Sequence, residues 1–93
     1  MTEASAPVAC THSLEAGAGQ CQVFVIRRGH DGTATVEVRW PAGTTRRILF
    51  LRGTPVASDS PEPLSASRRG DTSFVTLGAR ERVEIPDALV FGG

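Results

Sequence analysis

Between Gln20 and Ile85 the chain is cut by Gly, Pro and Asp so often that no segment keeps an uninterrupted helical period over ten residues. The runs left between the cuts are short and rich in Val, Ile, Phe, Thr and Leu, which is the pattern of strands joined by hairpins. The spacing predicts strands over Cys21 to Arg28, Thr33 to Trp40, Thr45 to Arg52, Pro55 to Ser58, Leu64 to Arg68, Thr72 to Leu77 and Arg80 to Ile85. Pro61 and Pro63 have no N–H to give a ladder, so Asp59 to Pro63 reads as a loop. The expected fold is all-β: a small antiparallel meander, partly closed barrel or sandwich of about six to seven short strands. One helical turn is expected near Pro86 to Leu89, since Pro is tolerated in a first turn. Residues 1–18 are dominated by Ala, Ser, Thr, Gly and Pro and read as a loose lead-in tethered by Cys10, with a single all-β domain over 19–93.

Register is the most informative consequence. If Gly29 to Gly32 is a four-residue hairpin loop, Arg28 faces Thr33, Val25 faces Val36, Val23 faces Val38 and Cys21 faces Trp40. If the next loop, Pro41 to Thr44, keeps the same parity, Trp40 faces Thr45, and Leu49 and Leu51 join the apolar face. The reverse face then carries Thr33, Thr35, Glu37 and Arg39, flanked by Phe24, Ile26, Ile48 and Phe50, with Arg39 and Arg46 meeting at one end. Four large apolar residues beside a polar stripe need a cover. The chain's own Ala88-Leu89-Val90-Phe91 or a curling sheet is one, and a partner protein or second copy is the other.

Composition excludes more than it proposes. Ninety-three residues make one domain with a small core, and ten acidic residues balance ten arginines, leaving no global field toward nucleic acid or an anionic membrane. No run approaches the roughly 20 apolar residues of a membrane span. Arg27-Arg28, Arg46-Arg47 and Arg68-Arg69 are doublets, but strand neighbours point to opposite faces, and no exposed aromatics interleave to stack bases. Nucleic-acid binding is therefore not expected.

Catalytic and metal motifs are equally thin. His30-Asp31 lies between glycines in a hairpin loop, where adjacent side chains rarely converge on one substrate. Cys10, His12 and Cys21 offer three zinc donors where a structural site takes four. Phosphate loops and dinucleotide fingerprints do not occur, because no Gly cluster leads into a helix. The chain reads as a non-enzyme without cofactor or metal. Cys10 and Cys21 form one available pair: a bridge would imply an oxidising compartment, whereas two reduced thiols, with Cys21 simply packed in a strand, would not. The opening residues read as a cytosolic start or as the head of a mature exported domain, and the cysteine pair favours the second.

The order of Gly19-Gln20-Cys21, Phe24-Val25-Ile26-Arg27, Gly32-Thr33-Ala34-Thr35-Val36, Arg46-Arg47-Ile48-Leu49-Phe50, Ser65-Ala66-Ser67, Gly70-Asp71 and the ending Glu81-Arg82-Val83-Glu84-Ile85-Pro86-Asp87-Ala88-Leu89-Val90-Phe91-Gly92-Gly93 gives the chain a resemblance to a small bacterial domain family of exported and lipid-anchored proteins. It spans about Cys10 to Gly93, and the Glu-Arg-x-Glu-Ile-Pro-Asp-Ala stretch is its most specific part. Val83 stands where the family usually has Tyr, and Ala42-Gly43 where it favours Asp-Gly. The resemblance implies an exported, periplasmic setting and strengthens the Cys10–Cys21 disulfide, but supplies no catalytic residue. The expected function is a non-catalytic periplasmic protein-binding domain, an inhibitor or immunity-type protein for an envelope-acting enzyme. Contacts would come from Phe24, Ile26, Arg39, Arg46, Ile48 and Phe50, with Asp59 to Pro63 as an inserting loop. The alternative is a structural accessory domain of a larger exported protein, with self-association as one form.

Overall fold

A computed structural model describes residues 2–12, 19–41 and 43–91. It contains β1 (Thr2–Thr11), β2 (Gly19–Arg28), β3 (Thr33–Arg39), β4 (Thr45–Leu51), β5 (Thr54–Ser58), β6 (Leu64–Arg69), β7 (Thr72–Leu77), β8 (Glu81–Pro86) and a short helix α1 (Asp87–Phe91). The eight strands form one sheet in the order β5-β4-β3-β2-β1-β8-β7-β6, with antiparallel pairing throughout. Strands consecutive in the chain are therefore neighbours in the sheet, except at β5 and β6, which join through Asp59–Pro63 without a ladder between them. The result is an all-β, nearly closed antiparallel barrel with a short helical turn at its C-terminal end.

Alternation builds the interior. Cys21, Val23 and Val25 from β2, Ala34, Val36 and Val38 from β3, Ile48 and Phe50 from β4, Val75 and Leu77 from β7, and Val83 and Ile85 from β8 all point inward and are buried. Every second residue faces out, as a period of two requires. Burial of side chains the size of Ile48 or Phe50 is worth roughly 1.5–3 kcal/mol each, so this alternation is the main force holding the barrel.

Two expectations are corrected. Residues Thr2–Thr11, expected within a loose lead-in, form a ten-residue strand paired with β2 from Thr2↔Arg27 to Cys10↔Gly19. Its inward residues are largely small, which gives a weak strand signal, and pairing with β2 overrides that weakness. Of the lead-in, residues 1 and 13–18 lie outside the described residues. The second correction concerns β4. The β2–β3 pairing is as expected, with Val25↔Val36 and Val23↔Val38, but β4 pairs Arg39↔Thr45, Val36↔Ile48 and Ala34↔Phe50. Trp40 N–H donates to Thr44 C=O at 2.9 Å and Gly43 N–H to Trp40 C=O at 2.9 Å, so the connection closes at Trp40 and Thr44 with three residues between them. Gly43 has φ 104°, the left-handed third position that such a hairpin needs. An odd connection reverses parity, so Ile48 and Phe50 are inside and fully buried, while Leu49 and Leu51 are outside and 37% and 41% exposed.

The wall is thinnest at β1 and β8, which share only the pairs Cys10↔Val83 and Thr11↔Arg82. Extending that register would set Pro7 against Pro86, neither of which has an N–H, and the two strands part before reaching that point. Side chains and α1 supply the missing closure. At the start of α1, Arg68 from β6 donates to both carboxylate oxygens of Asp87, and Asp87 N–H donates to Asp71 C=O at 2.7 Å. Further along α1, Arg27 Nε from β2 donates to Leu89 C=O at 2.8 Å, and Val90 is buried in the core. The C-terminal turn thus straps the β6–β8 side of the barrel to the β2–β5 side across one end.

Candidate functional site

The outer face of β2, β3 and β4 brings aromatic, aliphatic, acidic and basic side chains together. A concave groove of about 430 Å³ runs along it, lined by Ala4 and Ser5 of β1, Phe24 and Ile26 of β2, Thr35, Glu37 and Arg39 of β3, and Arg47 of β4. The Arg39 guanidinium lies 4.2 Å from the Phe24 ring centroid, a cation–π contact worth about 0.5–1 kcal/mol at an exposed site. Glu37 sits between two cations: Arg39 Nε donates to Oε2 at 2.8 Å, and Arg47 Nη2 stands 3.2 Å from Oε1. One carboxylate against two guanidiniums leaves a net positive charge. The Arg39 and Arg47 side chains are 56% and 63% exposed, so both remain open to an incoming anion. Leu49 and Leu51 extend the apolar part of this face on the β4 side.

Of the residues singled out in the sequence, Phe24, Ile26 and Arg39 meet on this face. Ile48 and Phe50 do not: they are fully buried and unavailable to a partner. Arg46 is also turned inward, opposite Val38, and Arg47 takes the outward place beside Glu37. Arg47, Leu49 and Leu51 were missed because the even loop count put the wrong half of β4 outside. Their signal was Gly43, whose usual place in a three-residue hairpin would have set the other parity. The cover expected from Ala88–Phe91 goes elsewhere, because α1 closes the barrel end, and it is Arg39 that shields Phe24.

The opposite end of the barrel holds a polar cluster that sequence reading did not find. Arg46 from β4 makes a two-pronged contact with Glu81 from β8, Nε to Oε1 at 3.0 Å and Nη2 to Oε2 at 3.2 Å. His12 Nε2 is 3.5 Å from Glu81 Oε2 and 3.1 Å from Thr44 Oγ1, and the His12 ring meets Trp40 edge-on at 5.8 Å. Trp40 Nε1 is buried without a hydrogen-bond acceptor among the described residues. The cluster looks like a hydroxyl, an imidazole and a carboxylate in sequence, yet one ring nitrogen faces both oxygens. A relay that takes a proton from a hydroxyl and is steadied by a carboxylate uses the two opposite nitrogens, so this geometry does not activate Thr44. Glu81 instead neutralises Arg46 inside the barrel mouth and links β4 to β8.

The remaining candidates have structural explanations. Cys10 and Cys21 form a disulfide between β1 and β2, which occupies both sulfurs and ends their roles as nucleophile or metal donor. Among the described residues no group of three or more His, Cys, Asp or Glu side chains could hold a metal ion. His30 and Asp31 are solvent-facing, and Asp31 accepts hydrogen bonds from Thr33 N at 3.0 Å and Thr33 Oγ1 at 2.7 Å, which shapes the hairpin and holds its carboxyl below the usual range. Among the described residues no helix is long and apolar enough to cross a membrane. Compared with protein-family models, curated proteins and solved structures, the chain finds no match.

Proposed function

We propose that the chain is a non-catalytic, exported protein-binding domain that recognises its partner through the outer face of β2, β3 and β4. One observation carries the reading: Phe24, Ile26, Leu49 and Leu51 flank a stripe in which Arg39 and Arg47 outnumber Glu37, on a barrel whose core does not need them. The partner chemistry that fits is a protein segment presenting a carboxylate to Arg39 and Arg47 and apolar side chains to Phe24 and Leu49. An enzyme of the cell envelope, blocked by such a contact, is the target this proposal favours. Support for the compartment comes from the Cys10–Cys21 bridge, a bond that persists in oxidising surroundings.

The test is capture from envelope extract by the oxidised chain, run beside Arg47→Glu and Leu49→Asp. A partner held by the wild type and released at least tenfold by each variant supports the reading, since both positions are exposed and outside the core. No retained partner, or capture indifferent to both substitutions, overturns it. A second reading, a structural module that associates with itself, is favoured by the unladdered edges of β5 and β6. Sedimentation separates the two: a monomer at high concentration excludes the self-associating form.

A further inference from the structure

At the α1 end of the barrel, three arginines surround one hollow. Arg27 and Arg28 close β2, and Arg52 occupies the β4–β5 turn. With Gly29, Gly32, Gly53, Val90 and Phe91, they line a bowl of about 510 Å³ that contains no acidic lining residue. Among the described residues no ion pair engages any of the three guanidiniums. Arg27 spends its Nε on Leu89 C=O, which fixes the side chain and leaves further N–H groups, whereas Arg28 turns one Nη along the outer face to Thr35 Oγ1. Asp31 stands near the rim, but its carboxylate is engaged by Thr33 and His30. The Asp31 charge acts on Arg28, whereas Arg27 and Arg52 have no acidic residue beside them in the lining, so an anion seated between these two relieves their repulsion.

Arg52 adds an independent observation. Its φ is 50°, and Gly53 follows at φ 85°, so the β4–β5 hairpin turns through two left-handed residues. Asn, Asp or Gly suits the first of those positions, whereas a long side chain there is strained. Arg52 N–H donates to Gly32 C=O at 2.8 Å, and its stem lies against Gly32, 3.2 Å from where a β-carbon would stand. The strained turn is therefore docked on the β2–β3 turn, which holds the guanidinium over the bowl. Phe91 packs on Gly53, where an added β-carbon would lie 2.3 Å from the ring, yet 59% of Phe91 stays exposed and forms a flat apolar wall.

We infer that this bowl is a binding site for an oxyanion, phosphate or carboxylate, carried on a flat apolar body. The charged group is held by the guanidiniums of Arg27 and Arg52, and the body lies against Phe91. Arginine suits the task because its planar fork meets two oxygens at once.

The test is a titration of the whole oxidised chain with inorganic phosphate, benzoate and phenyl phosphate at low salt, followed by amide shifts at Gly29, Gly32 and Gly53. Saturable shifts with phosphate or benzoate are expected, weakening as salt is raised. Which simple anion binds tells phosphate from carboxylate as the recognised group. Phenyl phosphate should bind more tightly than phosphate, and Phe91→Ala should abolish that difference. Arg52→Asn should weaken binding about 10- to 100-fold while raising the melting temperature, since Asn accepts the left-handed backbone. Absence of saturable shifts with all three probes, or an Arg52→Asn variant that binds as the wild type does, overturns the site. Equal affinity for phosphate and phenyl phosphate overturns the role of Phe91.

Discussion

Asp87 shows how single residues fasten the barrel's closing strap. Arg68 donates to its two carboxylate oxygens at 3.1 and 2.6 Å, and also to Ser73 Oγ at 3.0 Å and Gly70 C=O at 3.3 Å. Those hydrogen bonds hold the Asp87 carboxyl below its ordinary value, outweighing the opposing effect of desolvation, with the Arg68 charge adding in the same direction. The folded state therefore favours the ionised form. The stabilisation is fully present above the unfolded carboxylate value of about 3.9 and is lost as pH falls through the lower folded value. Asp87→Asn should accordingly lower the melting temperature at pH 6, and the gap from wild type should close as both are acidified below about pH 4. A gap that persists unchanged in acid would show that the ionised pair does not hold α1. At this scale the sequence is a poor guide: Arg68 and Asp87 are far apart in the chain, and nothing local marks them as partners.

Among the elements, β1 depends most on its tether. The Cys10–Cys21 bridge ties β1 to β2 at the end of their long ladder, and so pins β1 beside the short stretch where it meets β8. For a loop of this length the chain-entropy account gives about 2–3 kcal/mol. Reduction, or Cys10→Ser with Cys21→Ser, should lower stability in urea by that order and leave the β3–β4 amides protected from exchange longer than those of β1. Equal loss of protection across all strands would contradict a separate role for the tether. Most strands after residue 20 were legible as strands because turn residues bound them, and β3 alternates most cleanly, its Ala34, Val36 and Val38 setting one face. Two elements were not legible. β1 places small residues such as Ala4 and Ala6 where a strand usually shows branched ones, and its order comes from pairing rather than propensity. In β4, Arg46 to Leu51 carries large apolar residues at Ile48, Leu49, Phe50 and Leu51, so both faces satisfy an apolar pattern. Only the odd connection after Trp40 chooses between them.

At the scale of the whole molecule, the sheet is a nearly closed wall with one seam between β5 and β6 and a thin join between β1 and β8. Contacts far apart in sequence close its ends: Arg46 with Glu81 at one, and α1 with Arg27 and Arg68 at the other. The fold class could be read from turn spacing, but these closures could not, because they depend on which strands the barrel brings face to face. The candidate surface was half legible for the same reason: Phe24, Ile26 and Arg39 stand on a strand pair with a forced register, whereas the β4 contribution hung on one loop residue. The proposed recognition face rests on the resulting division of β4 into an inward and an outward row. The most direct measurement is urea unfolding of Ile48→Ala beside Leu49→Ala. Ile48→Ala should cost about 2–5 kcal/mol by opening a cavity in the core, and Leu49→Ala less than about 1 kcal/mol, as for an exposed position. A larger loss at Leu49 than at Ile48 would contradict the register, and with it the outer face on which recognition is placed.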